Sequence, residues 1–123
     1  MQLKRIDSFT LNKRNFVYFD LGRIQSNAEF EEFMCRGKEF MQIYEPKSVY
    51  SITNVEGLMY DSETKKLIME WLTFNAKYVI QGVVIHMDGM KKITFGGIIK
   101  AAKRENLVYF NTRQEAIDYL SQV

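Results

Sequence analysis

The stretch Val79-Ile80-Gln81-Gly82-Val83-Val84-Ile85-His86-Met87 constrains the fold of this chain more than any other. Successive residues of a strand point to opposite faces. Val79, Val83, Ile85 and Met87 would then point one way and Ile80, Val84 and His86 the other. A strand with one wet face carries polar residues at every second position, and this one does not. It should be covered on both sides, as parallel strands in α/β proteins are.

The segments before it alternate in kind. Ser8 to Leu11 and Phe16 to Phe19 read as two short strands, with polar Asn12-Lys13-Arg14-Asn15 as the hairpin turn between them. Ser26 and Asn27 are good N-caps, and Glu29, Glu31 and Glu32 follow where a helix dipole favours acids. A helix over about 28–44 places Phe30, Phe33, Met34, Gly37, Met41 and Tyr44 on one stripe, and Pro46 stops it. Lys47 suits a turn, and Ser48 to Asn54 is rich in β-formers. Val55 to Tyr60 is a loop with enough apolar content to pack down. Asp61 or Ser62 caps a second helix, about 63–76, with Leu67, Ile68, Trp71 and Leu72 as its core stripe.

Beyond the central strand, Asp88-Gly89 signals a turn. A third helix is expected over about 92–105, with Ile93, Phe95, Ile98, Ile99 and Ala102 available for burial. Gly96-Gly97 weakens it by roughly 1 kcal/mol per glycine. Either the helix starts after the pair, or the pair admits a close neighbour. Asn106 ends it, Leu107 to Phe110 is a last short strand, and Asn111 or Thr112 caps a final helix. Glu115 stands three residues after Thr112, as in a capping box, and Ala116, Ile117 and Leu120 are to be buried.

The order is β-β-α-β-α-β-α-β-α. It predicts an α/β domain spanning residues 1–123, with a mostly parallel mixed sheet of four or five strands, an N-terminal antiparallel hairpin, right-handed crossovers and helices packed on the sheet. The 123 residues suffice for one domain with a real core. A net charge of +2 does not call for nucleic acid or a membrane surface. The single cysteine, Cys35, excludes an internal disulfide and any metal site built on several cysteines; it lies in the first helix next to the apolar stripe and reads as a small core residue. The opening residues have no apolar run, and nothing approaches the roughly 20 apolar residues that span a bilayer. A cytoplasmic location is the default expectation.

Asn75-Ala76-Lys77-Tyr78-Val79 leading into Gly82-Val83-Val84-Ile85, and the closing Tyr109-Phe110-Asn111-Thr112-Arg113-Gln114-Glu115-Ala116-Ile117-Asp118-Tyr119-Leu120, resemble the STAS domain (the sulfate-transporter and anti-sigma-antagonist module), in its SpoIIAA-like branch. The resemblance covers most of the chain. It implies a small regulatory or protein-binding module without catalysis and without a cofactor. In that family a Ser or Thr at a helix start, beside an Asp, is switched by phosphorylation. The matching pair here is Asp61-Ser62. This chain departs from the pattern in having Glu63, Thr64 and Lys65 where glycine and small residues follow. Glu63 would repel a phosphate, and the ordinary role of Ser62 is an N-cap.

Ligands of open α/β sheets bind beyond the carboxyl ends of the strands. Those ends carry Asp20 with Arg23, Asn54 with Glu56, His86 with Asp88, and Asn111 with Arg113. His86, Glu56 and Asp88 would make an acid–base or metal site only if they converged; the plainer reading is a partly buried histidine satisfied by a backbone carbonyl. Lys91, Lys92, Lys100, Lys103 and Arg104 read as a solvated basic face. Leu58, Met59 and Tyr60, near Phe95 and Ile98, are open to three readings: a pocket wall, a dimer contact or a satellite core. The candidate surface is thus Glu56, Leu58, Met59, Tyr60, Asp61, His86 and Asp88. Its expected partner is another protein or a second copy of the chain. The alternative is a carrier or sensor with an enclosed, Met- and aromatic-lined cavity for a small apolar or lipid-like ligand.

Overall fold

The computed structural model describes residues 5–59, 61–87, 96–104 and 106–123. The hairpin β1 (Ile6–Leu11) and β2 (Arg14–Asp20) opens the chain, followed by α1 (Asn27–Met41), β3 (Val49–Asn54), α2 (Ser62–Asn75) and β4 (Val79–Ile85). Helix α3, whose described residues are 96–101, leads to β5 (Leu107–Phe110) and α4 (Arg113–Leu120). The five strands lie in the order β1-β2-β3-β4-β5, with β1 antiparallel to β2 and the remaining pairs parallel. The expected α/β architecture is the one observed.

The hairpin turn is tighter than the sequence suggested. Leu11 pairs with Arg14, leaving Asn12 and Lys13 as a two-residue turn with φ of 51° and 65°. Positive φ at both central positions is the turn whose twist matches a β-hairpin. A four-residue turn would have set Leu11 opposite Phe16, two residues out of register.

Helix α1 begins as its caps dictate, with Ser26 Oγ accepting from the Glu29 N–H, and Cys35, one place past the buried Met34, turns off the stripe and is exposed, not the core residue expected of it. It ends at Met41, and the backbone tightens through Ile43 N–H to Phe40 O and Tyr44 N–H to Met41 O, so Tyr44 stays packed against the core. Asp61, and not Ser62, caps α2, its carboxylate accepting from the Thr64 N–H; Ser62 is the first helical residue. Thr112 caps α4 with Glu115 in the expected box.

Both faces of β4 are covered, but not by the residues that strict alternation assigns. Val79 and Val84 pack with α1 and α2, whereas Val83 and Ile85 pack with Ala116 and Leu120 of α4. The register slips at Ile80, since Val49 pairs with Val79 while Tyr50 pairs with Gln81. This bulge transfers Val79 to the side of Val84 and leaves Ile80 40% exposed. His86 then takes φ of 63°, which ends the alternation and returns Met87 to the α1–α2 side. His86 is exposed, not the partly buried strand-end residue expected of it.

Trp71 is the centre of the larger core. Its ring meets Phe19 and Phe33 edge to face at 5.0 and 5.1 Å and stacks on Phe74 at 6.0 Å. The indole lies against α1 at Gly37, where a Cβ would stand 2.6 Å from Trp71 Cη2. That approach explains a glycine in the middle of a helix.

The end of α3 corrects the reading of the basic face. Lys103 adopts φ of 56°, with Lys103 N–H donating to Lys100 O and Arg104 N–H to Ile99 O. This is a Schellman ending, with lysine where glycine is usual. It turns Arg104 inward, where it is 5% exposed. Its Nη1 donates to Leu72 O at 2.9 Å and to Asn75 Oδ1, and its Nε to Asn106 Oδ1 at 2.8 Å. The Gly96-Gly97 pair falls within the helix: a Cβ at Gly96 would lie 3.3 Å from the Tyr109 hydroxyl, while Gly97 faces open space. Ile98 and Ile99 are buried as expected. Ile93, Phe95, Lys91 and Lys92 lie outside the described residues.

Two stability predictions follow from these contacts. Gly37→Ala would raise the stability of an exposed helix by about 1 kcal/mol. Here it should lower stability by about 1–3 kcal/mol, because the boxed-in Trp71 cannot retreat; a lower urea midpoint at unchanged slope would show it. Arg104→Ala leaves Asn75 Oδ1 without its donor, and Leu72 O with the Ala76 N–H alone, and should cost at least about 2 kcal/mol, read from thermal unfolding.

Candidate functional site

The carboxyl ends of β2 and β3 open into a cleft of about 320 Å3, lined by Arg5, Asp20, Gly22, Arg23, Asn54 and Glu56. The parallel register sets Asp20 beside Asn54. Beyond the strands the two chains stay zipped, with Leu21 N–H donating to Asn54 O and Arg23 N–H to Glu56 O. The loop after β3 is fastened to the same segment by Gln25 Nε2 to Gly57 O and Met59 N–H to Ile24 O. Val55 and Leu58 are buried beneath it, so the loop packs down as its composition suggested.

Within the cleft, Asp20 Oδ1 accepts from the Gly22 N–H at 2.8 Å and from Asn54 Nδ2 at 3.3 Å. Asn54 Oδ1 accepts from the Glu56 N–H at 3.0 Å. Gly22 is required by this closeness: a Cβ there would stand 2.7 Å from Asp20 Oδ1. Arg5 Nη1 donates to Asp20 O and Gly22 O, closing the floor. Arg23 holds φ of 60°, and its Cγ lies over Gly57. Tyr18 stands below the cleft on β2. Burial and the Asp20 carboxylate push its phenol up, with Asn54 and Arg113 opposing. The Arg113 guanidinium rests over the Tyr18 ring at 4.5 Å.

Of the strand-end residues named from sequence, the structure brings Asp20, Arg23, Asn54 and Glu56 together, with Arg113 over Tyr18 at the side. His86 leaves β4 at the same end, next to the Val55 N–H that donates to Ile85 O. Tyr60 and Asp88 lie outside the described residues. Among the described residues no three His, Cys, Asp or Glu side chains are grouped to hold a metal ion. Leu58 is core, Met59 is half-buried and Glu56 is exposed. The cleft walls are charged and amide groups, which does not match an enclosed cavity lined by methionine and aromatic rings.

Arg5 and Gly22 were not found from sequence. Arg5 belongs to no predicted element, but the hairpin register, carried one step past Ile6–Phe19, sets it opposite Asp20, whose N–H donates to Arg5 O. The two-residue turn was the signal that would have located it.

The start of α2 forms a second polar spot. Asp61 Oδ1 accepts from both the backbone N–H and the hydroxyl of Thr64, and the buried Thr64 hydroxyl also lies 3.3 Å from Asn27 Oδ1 at the start of α1. The Thr64 hydrogen bonds hold the Asp61 carboxyl below its ordinary value. Ser62 is exposed beside it.

A five-stranded mixed sheet in sequential order, three crossover helices and one closing helix make up the fold of a STAS domain. A solved structure, described as an anti-sigma-factor antagonist (STAS) domain protein from Planctomyces limnophilus, is similar over 94% of this chain and 97% of its own, with a TM-score of 0.60. The two sequences are 16% identical, so the likeness is one of fold. No family model matches the sequence, and no curated protein matches it. No helix of the described residues is long and apolar enough to cross a membrane.

The capping carboxylate gives a pH prediction. A depressed folded pKa contributes stability above the ordinary value of 3.8, and that contribution is lost as pH falls below it. Asp61→Asn keeps an acceptor for the Thr64 N–H without titrating. Its acid unfolding curve should therefore be shallower than that of the unaltered chain below about pH 4, as followed by circular dichroism.

Proposed function

We propose that this chain is a small, non-catalytic regulatory module of the cytoplasm that acts by binding another protein. The contact surface we assign to it is the start of α2 with the strand-end loop before it: Glu56, Met59, Asp61 and Ser62, with His86 at the neighbouring strand end and Leu58 supporting it from the core; Tyr60 and Asp88 are assigned to it by sequence alone. The observation that carries this reading is the fold, shared along nearly the whole chain with a protein described as an anti-sigma-factor antagonist. The local chemistry supports the location. Ser62 is exposed in the first turn of α2, where a helix dipole favours added negative charge. Asp61 and Glu63 on either side oppose a phosphate there. Added charge at Ser62 would therefore alter the surface by repulsion and leave the cap at Asp61 in place.

The test is capture from host extract on the immobilised chain, with size-exclusion chromatography of the chain alone. One protein should be enriched, or a concentration-dependent dimer should form. Ser62→Asp should weaken that association by about tenfold or more, and Ser62→Ala should leave it within about twofold. A monomer that enriches no protein over a Ser62→Asp bait under several conditions would refute the reading.

A further inference from the structure

We propose that the cleft at the carboxyl ends of β2 and β3 binds a small zwitterion, one ammonium and one carboxylate close together, as in a free amino acid or a short peptide. Three observations lead there. The first is charge of both signs on one wall system: Asp20 and Glu56 supply carboxylates and Arg23 a guanidinium around about 320 Å3. That volume is at the lower end of the roughly 300–1,000 Å3 of small-ligand sites.

The second is that these charges do not neutralise one another. Among the described residues the ion pairs are Arg5–Glu29, Arg36–Glu32, Lys38–Glu70 and Lys66–Glu63, and none involves Asp20, Arg23 or Glu56. Asp20 Oδ1 is taken by Gly22 and Asn54, and no described residue donates to Oδ2. Opposite charges held apart on one cleft are complementary to a ligand that carries both.

The third is that the Asp20 carboxylate and the backbone of Arg23 and Glu56 are fixed before any ligand arrives. Asn54 ties the Asp20 carboxylate to the Glu56 backbone. Arg5, with its side chain only 22% exposed, bonds to the carbonyls of Asp20 and Gly22. Arg23 is held at positive φ over Gly57 by the Glu56 carbonyl. A carboxylate so held loses little freedom on binding, and the backbone so held keeps the roots of Arg23 and Glu56 on either side of it. In the assignment, the ligand ammonium donates to Asp20 Oδ2 and Glu56, and its carboxylate meets Arg23.

The inference goes beyond the partner-binding reading and does not depend on it, because its test contains no partner. Amide chemical shifts of the full chain are followed by NMR during titration with each common L-amino acid. The control probes are dialanine, ethylamine and sodium acetate. At least one amino acid or dialanine should move the amides of residues 20–23 and 54–57 saturably, and which of the two binds tighter separates a free amino acid from a peptide. Ethylamine and acetate should bind at least about tenfold more weakly, as should the zwitterion to Asp20→Asn and to Arg23→Gln. Dispersed spectra of both variants show that they fold. No response at about 10 mM, equal binding of acetate or ethylamine alone, or unchanged affinity in both variants would overturn the proposal.

Discussion

A sheet with two apolar faces has to be covered twice, and its topology decides how. The parallel strands β2 to β5 are laid down in one direction across the sheet. Crossovers of one hand then put α1, α2 and α3 on the same face. The larger core, with Phe19, Trp71 and the stripes of α1 and α2, lies there. Only a helix after the last strand is free to reach the other side, and α4 does so with eight residues. Its two buried residues, Ala116 and Leu120, cover Val83, Ile85 and Ile52. At the hairpin end the second face is closed by side chains instead: Phe9 stacks on Phe16 at 5.0 Å, and Arg113 lies over Phe9 and Tyr18. The second face thus depends on flat aromatic and guanidinium groups where a helix is missing.

The same topology leaves all parallel strands ending on one side, and the cleft forms where β2 and β3 run out together. Nothing in the strands themselves makes it a cleft. It exists because the chain after each strand continues in step with its neighbour for about three residues, through the bonds of Leu21 and Arg23 to Asn54 and Glu56. Side chains at the last strand positions, Asp20 and Asn54, are therefore held by backbone on both sides and do not fray into solvent. The α2 cap sits at the far end of the loop that contains Glu56, so the polar cleft and the first turn of α2 are joined by one short, packed segment.

Element order, strand parallelism and the helix stripes were legible because each rests on a periodicity, and burial of Phe30, Phe33, Met34, Ile68, Trp71 and Leu72 follows it. The strand-end rule points to eight residues, and Asp20, Arg23, Asn54 and Glu56 among them line one cleft. What failed were single-residue events that break a period. The bulge at Ile80 carries no mark in the sequence, because Val79 and Ile80 are equally apolar. Arg23, His86 and Lys103 take positive φ without being glycine or asparagine, so turn chemistry gave no warning of them. Arg104 misled for the same reason. Counted by composition it belongs with Lys100 and Lys103, and only the left-handed Lys103 turns it away from them.

That turn has a physical consequence for the whole right-hand half of the sheet. Burial lowers the Arg104 guanidinium to about 10, which leaves it charged at neutral pH, yet its described partners include no carboxylate. They are a carbonyl in the last turn of α2, the amide of Asn75 at its end and the amide of Asn106. A helix carboxyl end carries roughly half a negative charge, so α2 itself supplies part of the counter-charge. Asn106 completes the arrangement from the other direction. Its Nδ2 donates to Val79 O and Ile80 O across the bulge, and its backbone carbonyl accepts from the Gly82 N–H. One guanidinium and one amide thus join the end of α2, the irregular start of β4 and the entry to β5. A bulge of this kind exposes backbone carbonyls that the ladder no longer pairs. Its cost here is met by polar side chains that arrive from the α3–β5 junction, so the slip in β4 and the inward turn of Arg104 are two parts of one packing solution.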